Sequence, residues 1–170
     1  MAAPRPLRRR SRWPVKRRHA AAAAVVAAIV ASGVFVAEPM RVPTGSMRPT
    51  LQPGDHVLVG KLAEPGRGDL AVFARSGELS VKRVVALGGD EIGIEDGELV
   101  VNGRTVEEPY VDHRLLDGVY FGPVTVPPGS VFVLGDNRTD SIDSRTFGPV
   151  ARSDVLGRVV LRLWRQPRRR

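Results

Sequence analysis

The sequence predicts a mainly β protein, an antiparallel β-sheet domain behind one N-terminal transmembrane helix. Three observations carry that prediction. An uncharged run, Ala20–Ala37, comes after a segment with eight Lys/Arg and no acid. Beyond it the chain breaks into short strand-like runs separated by turn dipeptides. After residue 38 there is no long stretch with the helical spacing of apolar residues.

The N-terminal run is 18 residues long, and at ~1.5 Å per residue it reaches about 27 Å, just enough for a hydrocarbon core of ~30 Å. Val25, Val26, Ile29, Val30, Val34, Phe35 and Val36 supply most of its apolarity. The bases before it stay on the cytoplasmic side, which places the rest of the chain outside. A cleavable secretory signal has the same order of charge then apolar run, with small residues near Ala31–Gly33 and Ala37 as a cut site. The residues after Ala37 decide between anchor and signal. A Pro- and Gly-rich segment begins there with no linker, so an uncut anchor holds that segment at the membrane surface. The expected organisation is a basic cytoplasmic tail at 1–19, an anchor at 20–37, an extracytoplasmic domain at 38–164 and a basic tail at 165–170.

The strands expected in that domain are His56–Leu62, Leu70–Arg75, Ser80–Leu87, Glu91–Glu95, Glu98–Asn102, Val119–Val126, Ser130–Leu134 and Val155–Trp164. Asp96-Gly97 and Asn102-Gly103 read as two-residue hairpin turns. The stretch Glu107–Gly118 is polar and irregular and reads as a surface excursion. The last strand is interrupted by Arg158 and Arg162, so it does not span a membrane.

Charge narrows the function. The formal net charge is +8, but thirteen of the 26 bases lie in residues 1–37 and 162–170, which hold no acid. The middle of the chain carries 13 bases against all 18 acids, a net of −5. Nucleic-acid binding needs positive charge on the folded surface, so that class is excluded. With no cysteine there is no disulfide, thiol nucleophile or thiolate metal site.

Three blocks carry chemistry. The first, EPMRVPTGSMRPTL, sets Ser46 between Gly45 and Met47; alone it reads as an ordinary loop serine. The second is Lys82, in the strand run SVKRVVALGGD. Alternation puts Lys82 and Val84 on one face and Val81, Arg83 and Val85 on the other. An inward-facing lysine loses its charge readily and can act as a base near neutrality; one that reaches solvent along its apolar stem cannot. The third, GDNRTDSIDSR, comes after the strand at 130–134. Asp143 with Arg145 or Arg138 is a candidate ion pair there, and Ser141 a candidate partner for the lysine amine. The alternatives are a hydrated loop or an oxygen-ligand metal site from Asp136, Asn137, Asp140 and Asp143, whose spacing departs from the calcium-loop pattern and lacks the closing Glu. Acyl transfer needs a nucleophile, a base and oxyanion donors. His56 and His113 offer a triad without the elbow motif that would support it.

In ordered blocks over roughly residues 38–161, the chain resembles bacterial type I signal peptidases, membrane-anchored serine proteases. EPMRVPTGSMRPTL looks like their nucleophile block, GDHVLVGK and RGDLAVF like the strand blocks, KRVVALGGD like the base block, and VFVLGDNRTDSIDSRTFGPV like the last block. The resemblance implies a Ser46/Lys82 dyad that cleaves signal peptides from exported preproteins at the outer face of the cytoplasmic membrane. It implies Thr44 beside the Ser46 amide at the oxyanion, Ser141 orienting the lysine, and Asp143 with Arg145 as support. It also implies pockets for small side chains at the first and third positions before the cut. By position Val42, Pro43, Met47 and Leu51 line them from one side, and Leu79, Ser80 and Val81 from the other. The partners expected are preprotein signal peptides and the lipid bilayer, with no nucleic acid, cofactor or metal. Gly88 or Gly89 stands where the family more often has Pro, and the connection to the last block is short. Two other readings share features: a self-cleaving repressor, which would carry a helical DNA-binding head in place of the anchor, and a non-catalytic anchored β-domain, which leaves Ser46 and Lys82 unexplained.

Overall fold

The computed structural model describes residues 36–75 and 77–164. The tails read at 1–19 and 165–170, and residues 20–35 of the proposed anchor, lie outside the described residues. Ala37, read as the anchor's last residue, instead opens the first strand. Among the described residues no helix is long and apolar enough to cross a membrane.

Two antiparallel sheets make up the domain. The larger has seven strands in the order β1 (Ala37–Arg41), β2 (His56–Gly60), β11 (Val155–Trp164), β3 (Leu70–Arg75), β4 (Glu78–Leu87), β9 (Ser130–Leu134) and β10 (Val150–Ala151). The smaller runs β7 (Arg104–Val106), β6 (Glu98–Val101), β5 (Glu91–Glu95) and β8 (Phe121–Thr125). Both hairpin turns form where the dipeptides predict them. Asp96 and Gly97 sit at φ 49° and 81°, Asn102 and Gly103 at 53° and 72°, the paired positive φ of a twist-matched two-residue turn.

The strands at 70–75, 91–95, 130–134 and 155–164 match the sequence reading residue for residue. Three were missed. β1, AEPMR, lacks alternation and contains Pro39; it is a strand because it lies at the sheet edge, where a proline needs no ladder partner. β7 and β10 have three and two residues, too few to show a period. A one-turn helix, α1 (Ser144–Phe147), also went unread.

β4 is the spine of the core. Val81 packs with Val42, Met47 and Leu51 in one apolar cluster. Val84 joins Ala71, Phe73 and Val133 in a second. Between Val84 and Ala86 the register with β9 slips by one residue, and this bulge lets Val85 and Ala86 both enter a third cluster with Phe132 and Leu134, against the smaller sheet. Alternation therefore holds from Val81 to Val84 and is reset at the bulge.

The stretch Glu107–Gly118 is irregular and mostly exposed, as the sequence suggests, but it is pinned into the core. Glu108, Val111 and Leu116 are buried, and the Glu108 carboxylate pairs with the Arg138 guanidinium, both side chains almost wholly out of water. The Tyr110 hydroxyl donates to the other Glu108 oxygen at 2.9 Å. Charged residues in a polar stretch read as solvated because the partner lies thirty positions away. Glu108→Ala is expected to cost about 3–5 kcal/mol by stranding a buried guanidinium, read as a lowered midpoint in denaturant, with Glu108→Gln recovering part of the loss.

Candidate active site

The segment before and after Ser46 is held at both ends. The Val42 amide donates to the Asp55 carbonyl and the Gly54 amide to the Val42 carbonyl, each at 2.8 Å. Met47 and Leu51, 1% and 3% exposed, anchor the turn in the core. Ser46 is 6% exposed. Its Oγ lies 3.1 Å from Thr44 Oγ1, and its carbonyl accepts the Asn137 amide at 3.0 Å.

Lys82 pairs with Ala71 of β3 and is 5% exposed. Its Nζ donates to Ser141 Oγ at 3.1 Å. Burial holds this amine below the ordinary lysine range; the Asp143 carboxylate opposes that, Arg145 reinforces it and Asp140 opposes it. The sign comes from desolvation, which disfavours the ammonium form.

Asp143 is fully buried and caps α1. It accepts the Arg145 amide at 3.2 Å, Arg145 Nε and Nη2 at 2.9 Å each, and the Gly135 amide at 3.0 Å. Burial alone would raise its pKa, but the bonds from Arg145 and Gly135 outweigh it and the carboxyl is held below its usual value. That contribution to stability is complete above the ordinary Asp range and is lost as pH falls through the depressed value. Asp143→Ala is expected to destabilise the domain by about 3–5 kcal/mol, as for one partner removed from a buried pair, measured by thermal denaturation at pH 7.

Gly135 is where the first and third blocks meet. A Cβ at this position would stand 2.6 Å from the Ser46 carbonyl oxygen and 2.5 Å from Ser141 Cβ, with Ser141 Oγ nearer still. A second clamp lies one residue further along each strand. Arg83 donates Nε and Nη2 to the two Asp136 oxygens at 2.8 and 2.6 Å, and Thr50 Oγ1 donates to the same carboxylate. The Arg83 guanidinium lies 3.7 Å over the Tyr110 ring. Lys82 and Arg83 thus hold opposite faces of one strand to the Gly135–Arg145 segment. Arg145 pairs with Asp143, whereas Arg138, the other candidate, goes to Glu108. Asp136 and Asp143, weighed as metal ligands, are both committed to guanidinium groups. His56 is exposed at the start of β2, and His113 contacts the Glu108 carbonyl and Glu98.

The residues named for substrate pockets separate into two sets. Val42, Met47, Leu51 and Val81 are at most 4% exposed and form one buried cluster; they are a floor. Pro43 is exposed, Leu79 is 46% exposed and Ser80 is half-buried. An open cleft of about 360 Å³ lies between Glu38–Met40 of β1 and Leu79 of β4, over Val59 and Val72. β3 pairs with β4 from Glu78 to Arg83, but β9 takes up the other edge only from Arg83 onward. The edge of Glu78–Lys82 is therefore open to an added strand.

Sequence reasoning missed Gly135, Arg83, Thr50 and Glu108. Arg83, a second cation beside Lys82 in an otherwise apolar strand, was the available signal.

The signal peptidase, peptidase S26, family matches residues 15–164. A probable signal peptidase I-2 of Synechocystis is 38% identical over 158 residues, covering 85% of this chain and 72% of that protein. A signal peptidase I of Bacillus caldolyticus is 43% identical over 136 residues, covering 70% and 75%. The crystal structure of a signal peptidase I from Enterococcus faecalis V583 superposes with a TM-score of 0.51 at 33% identity, over 56% of this chain and 97% of that one. Fold and comparisons together define the class, a serine endopeptidase. The chain belongs to the signal peptidase, peptidase S26, family.

Proposed function

We propose that this protein removes N-terminal signal peptides from exported preproteins at the outer face of the cytoplasmic membrane, with Ser46 as nucleophile and Lys82 as general base. The observation that supports it most is the buried Lys82 amine, lowered in pKa and hydrogen-bonded to Ser141, which itself lies across Gly135 from Ser46. A signal peptide's extended end adds to the open edge of Glu78–Lys82, alternate side chains facing the cleft and its floor. Small residues at the first and third positions before the cut suit a floor already filled by Val42, Met47, Leu51 and Val81.

Substrate entry turns the Ser46 hydroxyl from Thr44 toward Lys82. Neutral Lys82 accepts the hydroxyl proton as Oγ bonds to the scissile carbonyl carbon. The Ser46 amide and the Thr44 hydroxyl donate to the oxyanion. Protonated Lys82 then gives its proton to the leaving amine and the C–N bond breaks; water, deprotonated by Lys82, attacks the ester carbon, the bond to Ser46 Oγ breaks, and Lys82 returns the proton to Oγ. Ser141 positions the amine, while Asp143 and Arg145 hold the segment that carries Ser141. Residues 20–36, ending before β1, serve as a single membrane anchor, N-terminus in the cytoplasm, keeping the site at the lipid surface.

A serine-directed acylating probe tests the assignment. The intact protein in detergent is expected to take up one label, mapped to Ser46 by mass spectrometry, and to lose it in Ser46→Ala. Label on another serine, or equal labelling of the variant, would contradict it.

A further inference from the structure

Two openings flank Ser46 along the chain. The apolar cleft is lined by Val59, Lys61, Val72 and Leu156, and also by Glu38–Met40 and Leu79, ahead of Ser46 and Lys82 in the chain. A second cavity, about 260 Å³, is built from residues beyond them: Arg48 and Pro49 after the nucleophile, Asn137 and Thr139 after β9, with Asp112 at the rim and Asp136 and Arg138 on the floor. It is joined to the nucleophile turn directly. The Arg48 amide donates to the Gly45 carbonyl at 3.1 Å, the Asn137 amide to the Ser46 carbonyl at 3.0 Å, and Asn137 Nδ2 to the Gly45 carbonyl at 3.5 Å. The cavity therefore borders the nucleophile turn on the side of Arg48 and Asn137.

The charges in the cavity nearly cancel, with one exception. Asp136 is matched by Arg83, Arg138 by Glu108 and Asp112 by Arg114. Arg48 is exposed, its guanidinium lies over Gly45, and it makes no ion pair among the described residues. The cavity thus presents one unmatched cation, Arg48, beside the nucleophile turn.

We propose that this cavity is the subsite for the first residues after the scissile bond and that Arg48 selects an acidic side chain there. The inference rests on the peptidase reading above. The attraction acts across a partly solvated gap, so its expected size is that of an exposed ion pair, about twofold to fivefold in rate, and it weakens as added salt shortens the screening length.

The test uses the full chain in detergent and preprotein-derived peptides that differ only in Asp or Lys at the first, second or third position after the cut. For the wild type, kcat/KM should favour Asp over Lys about twofold to fivefold at one of these positions. Arg48→Ala should bring that ratio near one, Arg48→Glu should reverse it, and added salt, at about 0.5 M, should shrink it in both directions. Because each ratio is taken within one enzyme, a variant with lower overall activity still reports. Equal ratios for all three enzymes at every position would overturn the subsite while cleavage itself stands. Undiminished cleavage by Ser46→Ala would instead strike the peptidase assignment.

Discussion

Lys82→Met is expected to lower kcat/KM for a preprotein substrate by about 10²–10⁴-fold, the span attributed to a positioned general base, and Ser46→Ala by at least as much, since no covalent step remains. Methionine keeps the buried stem and removes the amine, so the loss reports chemistry and not packing. In the wild type, kcat/KM should rise with pH through the lysine's depressed pKa, because only the neutral amine accepts a proton. The same substitution has an opposite effect on stability. A buried lysine with a lowered pKa binds fewer protons folded than unfolded, so the wild type loses stability as pH falls below the ordinary value of 10.5. Lys82→Met removes that penalty. Its midpoint of thermal unfolding should exceed the wild type's at pH 7, with the gap narrowing toward pH 10. A variant both inactive and less stable at neutral pH would show that the amine is not buried at a cost.

Gly135→Ala is expected to lower kcat by about 10²-fold, the effect of moving reacting groups by roughly 1 Å. The added methyl meets the Ser46 carbonyl at 2.6 Å and Ser141 Cβ at 2.5 Å, contacts that only a shift of one segment can relieve. Either shift moves the nucleophile turn or the hydroxyl that receives the Lys82 amine. The Ser46 carbonyl accepts the Asn137 amide, and Asp143, two residues past Ser141, accepts the Gly135 amide, so neither side yields freely. The measurement is kcat by single-turnover cleavage together with thermal unfolding. Full activity would mean that the spacing of the two segments does not govern the reaction.

The strands were legible where the sequence alternates or is continuously apolar over five or more residues, as at 70–75, 91–95 and 130–134. They were not legible at β1, which among the described residues pairs with β2 alone. The hairpins at Asp96-Gly97 and Asn102-Gly103 could be read because positive φ is a local demand. The Ser141 contact with Lys82 and the Asp143–Arg145 pair lay within the candidates named from the third block. The residues alone left Arg145 and Arg138 both open as partners of Asp143, because the Glu108 that takes Arg138 lies thirty positions away; that Val42, Met47, Leu51 and Val81 share one buried cluster was likewise not a local property.

By itself the sequence determined the mainly β class, the two hairpin turns, the order of the blocks and hence the family, all properties of short stretches read along the chain. Only the tertiary structure decided that Lys82 is shielded from water, that Gly135 separates Ser46 from Ser141, and that Arg83 and Arg138 are spent on distant carboxylates. Desolvation and pairing depend on which segments pack together, and here those segments stand some thirty to ninety positions apart.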